Sequence, residues 1–145
     1  MGAKIQLKEF IKNNLIIERK ILSNNFNILC EKIFLNNKES FIIKYYNKKN
    51  NYFNAIKAEG DSLLFLNKKI PNLFPSVQFF ADDLLIINFI KNDNNKTINY
   101  QNQLSKEILK IHSITNNKYG FKFDTQIGGL KQPNKFSSNW VEFFR

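Results

Sequence analysis

Ser40-Phe41-Ile42-Ile43-Lys44-Tyr45-Tyr46 decides the reading of the fold. β-Branched and aromatic residues dominate it, so it is expected to be a strand, and alternation places Ile42, Lys44 and Tyr46 on one face. A lysine between two apolar residues on a sheet face needs either an edge where it snorkels or an anion to meet, because an unpaired buried ammonium is costly. Working back from it, Ile16 to Leu22 and Asn27 to Leu35 read as two further strands, separated by the turn-prone clusters Ser23-Asn24-Asn25 and Asn36-Asn37-Lys38-Glu39. The three strands predict an antiparallel meander preceded by a short helix over residues 4–13.

Working forward, residues 52–67 switch to helical period and end before Pro71; Phe74 to Phe80 is the next strand, and Asp82-Asp83 is a turn. Leu84 to Ile90 is apolar enough for a central strand buried on both faces. Within the helix, Glu59 lies three residues after Ile56 and four before Leu63, on the same stripe as those apolar anchors. An inward lysine on the last meander strand and an inward glutamate on the next helix are what a nucleotide kinase uses to hold the α- and β-phosphates. An edge lysine and a helix-surface glutamate would give the same sequence. On the kinase reading, Ser23, Asn24, Asn25, Phe26 and Asn27 form the loop that covers the nucleotide phosphates, although they are not glycines. Asn88, Phe89 and Ile90 form a hinge whose backbone takes the adenine edge.

After a polar segment from Lys91 to Asn95, Gln101 to Ile114 is a predicted helix with Leu104, Ile108 and Ile111 on one stripe. Tyr119 to Lys135 reads as a long loop, and Ser138 or Asn139 as the cap of a last helix whose Trp140, Phe143 and Phe144 share a face. Residues 1–90 are expected to form a kinase-like small lobe with its leading helix, and residues 91–145 the hinge and the opening of a helical large lobe. So much apolar surface on a two-turn helix predicts the first part of a longer, truncated fold.

Composition narrows the function classes. The 145 residues include Phe 15 but only Gly 5 and Pro 3, which excludes a disordered or collagen-like chain. No apolar run approaches the ~18 residues of a membrane span, and no signal-peptide stretch follows Met1, so a soluble, cytoplasmic protein is expected. Cys30 and His112 are the only cysteine and the only histidine, which leaves too few ligands for a Cys/His zinc site. Cys30 is read as a small hydrophobe, His112 as a packed core residue, Trp140 as a core anchor and Asp124 as a turn stabiliser. The net charge of +10 points to a polyanionic partner or to a lysine- and asparagine-rich surface. The absence of a dense basic run counts against nucleic acid.

The stretch Tyr119-Gly120-Phe121 through Asp124-Thr125-Gln126-Ile127-Gly128, Gln132-Pro133-Asn134 and Trp140-Val141-Glu142-Phe143-Phe144 resembles the fructosamine/ketosamine-3-kinase family. So do Phe41-Ile42-Ile43-Lys44, Ala58-Glu59-Gly60, Phe74-Pro75-Ser76-Val77 and Ile108-Leu109-Lys110-Ile111-His112. The resemblance implies an α+β protein-kinase-like fold: a small lobe of five antiparallel strands plus a helix, and the start of a helical large lobe. It implies ATP as phosphate donor, ketosamine-modified amines or proteins as acceptors, and glycation repair as the purpose. It departs from the family at Ser23-Asn24, where paired glycines are usual, and at Thr125, where asparagine is usual. The family's catalytic loop and metal-binding aspartate have no counterpart before Arg145. These residues alone are therefore expected not to transfer phosphate, and Mg²⁺ is expected only in a full-length form. A non-catalytic nucleotide-binding remnant is the alternative.

Overall fold

The computed structural model describes residues 2–48, 53–92, 98–128 and 130–145. Part of the polar segment after the fifth strand and the first residue of the predicted second helix, Tyr52, lie outside the described residues. The chain opens with α1 (Ala3–Ile11), followed by β1 (Ile16–Asn25), β2 (Ile28–Leu35) and β3 (Ser40–Tyr46). Then come α2 (Ala55–Lys69), β4 (Val77–Phe80), β5 (Leu84–Asn88) and α3 (Tyr100–His112). A small hairpin, β6 (Thr125–Ile127) and β7 (Leu130–Gln132), precedes α4 (Trp140–Phe144).

The five strands form one antiparallel sheet in the order β1-β2-β3-β5-β4. Alternation along the strands divides it into two faces. Ile33, Leu35, Phe41, Ile43, Leu84 and Ile86 pack with Leu7 of α1 on one, and Phe10 of α1 meets Phe41 edge-on at 5.2 Å. On the other, Leu85 and Ile87 pack with Ile56 of α2, joined by Ile42, Tyr46, Leu63 and Phe80. Leu84 to Ile87 are buried without interruption, as expected for a strand covered on both sides.

Three sequence readings are corrected. The first strand runs on through Ser23, Asn24 and Asn25, which pair with Cys30, Leu29 and Ile28, because two register shifts let β1 stay in contact with its partner. The turn shrinks to Phe26 and Asn27, both at positive φ (51° and 63°), the conformation of a tight two-residue hairpin. The stretch Tyr119 to Lys135 is no open loop but contains β6 and β7. His112 and Trp140 are exposed rather than packed inside, and α3 buries none of its residues. Leu104, Ile108 and Leu109 of α3 and Phe144 of α4 remain exposed, while Trp140 meets the Tyr119 ring edge-on at 5.2 Å.

Candidate nucleotide-binding site

Lys44 sits in the middle of β3, with Cys30 of β2 and Leu85 of β5 as its cross-strand neighbours. Its ammonium donates to Glu59 Oε1 at 2.5 Å, and the two side chains keep 24% and 31% of their surface exposed. The sequence left two geometries open, and the structure adopts the inward one. Both charges stand at the boundary of the apolar cluster, where each satisfies the other while part of each still faces solvent. Such a pair is preorganised to receive an anion: the ammonium has three donors, and the carboxylate occupies one of them.

The placement of Glu59 depends on how α2 is anchored. Asn54 caps it, its side-chain oxygen accepting from Lys57 N at 2.9 Å and from the Tyr46 hydroxyl at 3.1 Å, while its amide donates to the Asp82 carbonyl at 2.6 Å. One side chain therefore ties the end of β3, the start of α2 and the β4–β5 turn together. The sequence reading passed over it, although an asparagine just ahead of a helical run is a recognisable cap signal. Gly60 brings α2 against the sheet: a Cβ there would lie 2.3 Å from the Phe80 ring.

The five residues expected to cover phosphates are distributed differently from a free loop. Asn27 clasps the second residue after β3, its side chain accepting from Lys48 N at 3.1 Å and donating to Lys48 O at 3.0 Å. Asn24 accepts from the Asn47 side chain at 2.5 Å. Ser23 faces Cys30 across the pair, and Phe26 projects from the tip with 69% of its surface exposed. The hairpin is thereby stitched to the strand that carries Lys44. Burial, foremost, raises the Cys30 thiol pKa, with the Lys44 charge acting against it; the residue is partly buried and suits the bland role read from sequence.

The expected hinge is engaged in the sheet at its start. Asn88 is the last residue of β5; its side-chain oxygen accepts from Ser76 N at 2.6 Å and its own N donates to Ser76 O at 3.1 Å. Phe89 N donates to Ser40 O at 3.3 Å, and the Lys32 ammonium stands 3.7 Å above the Phe89 ring. Ile90 is exposed. Among the described residues, no three His, Cys, Asp or Glu side chains gather where they would hold a metal ion. Among the described residues no helix is long and apolar enough to cross a membrane.

A five-stranded antiparallel sheet with a helix packed on its face between the third and fourth strands is the fold expected of a kinase small lobe, and comparison with known proteins agrees with that fold. Residues 6–145 match the fructosamine kinase family. The chain belongs to that family. A protein of Pasteurella multocida (strain Pm70) assigned as a ketoamine kinase is 29% identical over 93 residues, covering 61% of this chain and 32% of that protein. The crystal structure of a protein assigned as a fructosamine-3-kinase in Thermobifida fusca YX-ER1 superposes with a TM-score of 0.81 at 16% identity, over 97% of this chain and 48% of that one. Its counterpart from Haemophilus somnus 129PT gives 0.75 at 23% identity, over 98% and 48%. The fructosamine kinase fold is thus shared across the described chain, which spans about half the length of these solved relatives.

Proposed function

We propose that this chain supplies the nucleotide-gripping part of an ATP-dependent ketosamine kinase, with residues 1–90 as its small lobe and residues 91–145 as the hinge and opening of its large lobe. The contact between Lys44 and Glu59 carries the reading. In it, Lys44 donates to the α- and β-phosphates of ATP while Glu59 fixes the ammonium at the correct height above them. The hairpin of Ser23 to Asn27 covers the phosphates with backbone N–H groups. Because Asn88 N and Phe89 N already donate within the sheet, the adenine edge falls to the Phe89 carbonyl and the backbone beyond it. The acceptor is the third-carbon hydroxyl of a ketosamine, a sugar adduct on an amine or on a protein lysine, and its phosphorylation makes the adduct labile. The proton acceptor and the Mg²⁺ ligands are not assigned to residues described here, and no step is routed through them.

Three measurements test the reading. ATP at one hundred times its dissociation constant adds about 2.7 kcal/mol of stability, which in a domain of this size raises Tm by roughly 5–10 °C. Lys44→Met, which removes a charge-assisted contact of about 1.5–3 kcal/mol, is expected to weaken ATP roughly tenfold to a hundredfold. Equal ATP affinity in wild type and Lys44→Met would reject the assigned role. The kinase activity is tested on the protein at the length the cell makes it, with ATP, Mg²⁺ and a fructosamine or ribulosamine. Binding without phosphorylated sugar would identify a nucleotide-binding remnant instead.

A further inference from the structure

The segment between Tyr119 and Ser137 is built as a closed, internally bonded platform, and it rests on the helix that carries Glu59. Its ends meet in an antiparallel bridge, Tyr119 N to Ser137 O at 2.9 Å and Ser137 N to Tyr119 O at 3.0 Å. Gly120, at φ 113°, lies so close to the backbone of residues 134–136 that a Cβ would meet Asn134 O at 2.8 Å. Asn134 is 94% buried and organises the interior: its amide donates to Thr125 Oγ1 at 2.8 Å and to Phe123 O at 3.2 Å, and its backbone N donates to Asp124 Oδ1 at 3.1 Å. Lys131 closes the hairpin's outer side on Asp124 at 2.9 Å. A polar network with its buried member satisfied is rigid. From it Phe121, bonded through its N to Asn134 O at 2.8 Å, presents a ring edge-on to Phe65 of α2 at 4.8 Å, while Phe123 meets the Phe121 ring edge-on at 4.5 Å.

Helix α2 is therefore held from two sides. Ile56 and Leu63 face the sheet, and Phe65, six residues beyond Glu59, faces the platform. We infer that Phe121 is a positioning residue for the nucleotide site: the platform clamps α2 in the orientation that keeps Glu59 on Lys44, so the pair stays assembled before any nucleotide arrives. This rests on the proposed role of the pair but concerns a different element. Without the clamp, α2 is fixed only by its sheet-facing stripe and its cap, and it can roll about that stripe, which carries Glu59 away from the ammonium.

The test reads the helix and the nucleotide separately. Spin labels are placed at Ile21→Cys on the sheet and Leu64→Cys on α2, both exposed positions, in a Cys30→Ser background, and their distance distribution is measured with ATP absent. One narrow distance is expected for the parent and for Phe121→Tyr, which keeps the edge-on contact. A broadened or displaced distribution is expected for Phe121→Ala, with ATP affinity about two- to tenfold weaker, the range of one aromatic pair. Should Phe121→Ala fold poorly, Phe65→Leu removes the same contact from the helix side. An unchanged distribution in a folded variant overturns the inference. If instead the distances change but Lys44→Met leaves ATP affinity untouched, the clamp stands and the nucleotide-site assignment falls.

Discussion

Replacing Gly60 by alanine tests whether α2 sits as close to the sheet as its role requires. In an ordinary exposed helix this change stabilises by about 1 kcal/mol, because glycine carries the larger backbone entropy. Here the added methyl would stand 2.3, 2.5 and 2.8 Å from three carbons of the Phe80 ring, against about 3.5–4.0 Å for an unstrained carbon contact. The ring cannot swing aside freely, since it packs against the cluster of Ile56, Leu85 and Ile87, and Lys57 lies over it at 5.4 Å. Overpacking of this kind costs about 1–3 kcal/mol, so the net expectation is destabilisation of up to about 2 kcal/mol. Urea unfolding followed by fluorescence should show a lower midpoint at unchanged slope. Part of the relief open to the molecule is an outward shift of α2, which draws Glu59 from Lys44, so ATP affinity should fall with stability. Phe80→Leu in the same chain should return much of both, giving a favourable coupling in the double-mutant cycle. A gain of about 1 kcal/mol on Gly60→Ala alone, the value for a solvent-facing helix glycine, would refute the close approach.

Other expectations follow from single contacts. Asn54→Ala removes the cap of α2 together with the partners of the Tyr46 hydroxyl and the Asp82 carbonyl; a loss near the upper end of the cap range, about 2 kcal/mol, should appear in the same urea titration. Phe26→Asn places a residue tolerant of left-handed backbone at φ 51° on an exposed hairpin tip and should stabilise by about 0.5–1 kcal/mol, read as a raised Tm. Lys131 foremost, and then the Asn134 N–H, hold the Asp124 carboxyl below its usual value of 3.8. Its charge therefore stabilises the platform above that value, and the contribution drains away as pH falls through the lower folded one. The protection of the Asn134 amide relative to its intrinsic exchange rate should fall in that acid window, and Asp124→Asn should flatten the dependence.

The sheet was legible because its strands are marked by two periods that sequence displays directly. Alternation in Ser40 to Tyr46 and the unbroken apolar run Leu84 to Ile87 each specify how many faces are buried; β3 has the bounds expected, and β5 starts at Leu84 as expected but ends at Asn88, two residues short of Ile90. The errors fall where pairing geometry outweighs local composition. Ser23-Asn24-Asn25 has the composition of a turn, yet cross-strand bonds to Ile28, Leu29 and Cys30 are worth more to those residues than a wider loop, and the register shifts that permit them leave no compositional mark. The β6–β7 hairpin was hidden for the opposite reason: three-residue strands are too short for any period to show, and their stability comes from Asp124 and Asn134, side chains whose partners are distant in sequence.

The Lys44–Glu59 pair shows how far one-dimensional reasoning reaches into a site. Parity on β3 and the three- and four-residue spacing on α2 fix which way each side chain points, but not whether the helix lies near enough for them to touch. That last condition is met by residues with no ionisable group in the pair's vicinity to announce them: a glycine that admits the Phe80 ring, an asparagine that anchors the helix start, and a phenylalanine held by a buried amide. Each acts on α2 from a different side, against the sheet, at its N-terminus and from the platform. A helix restrained on all three can roll only if one restraint yields. Weakening any of them singly should therefore loosen the ion pair in part, and weakening two should cost more than the sum, since the remaining one cannot fix both tilt and rotation.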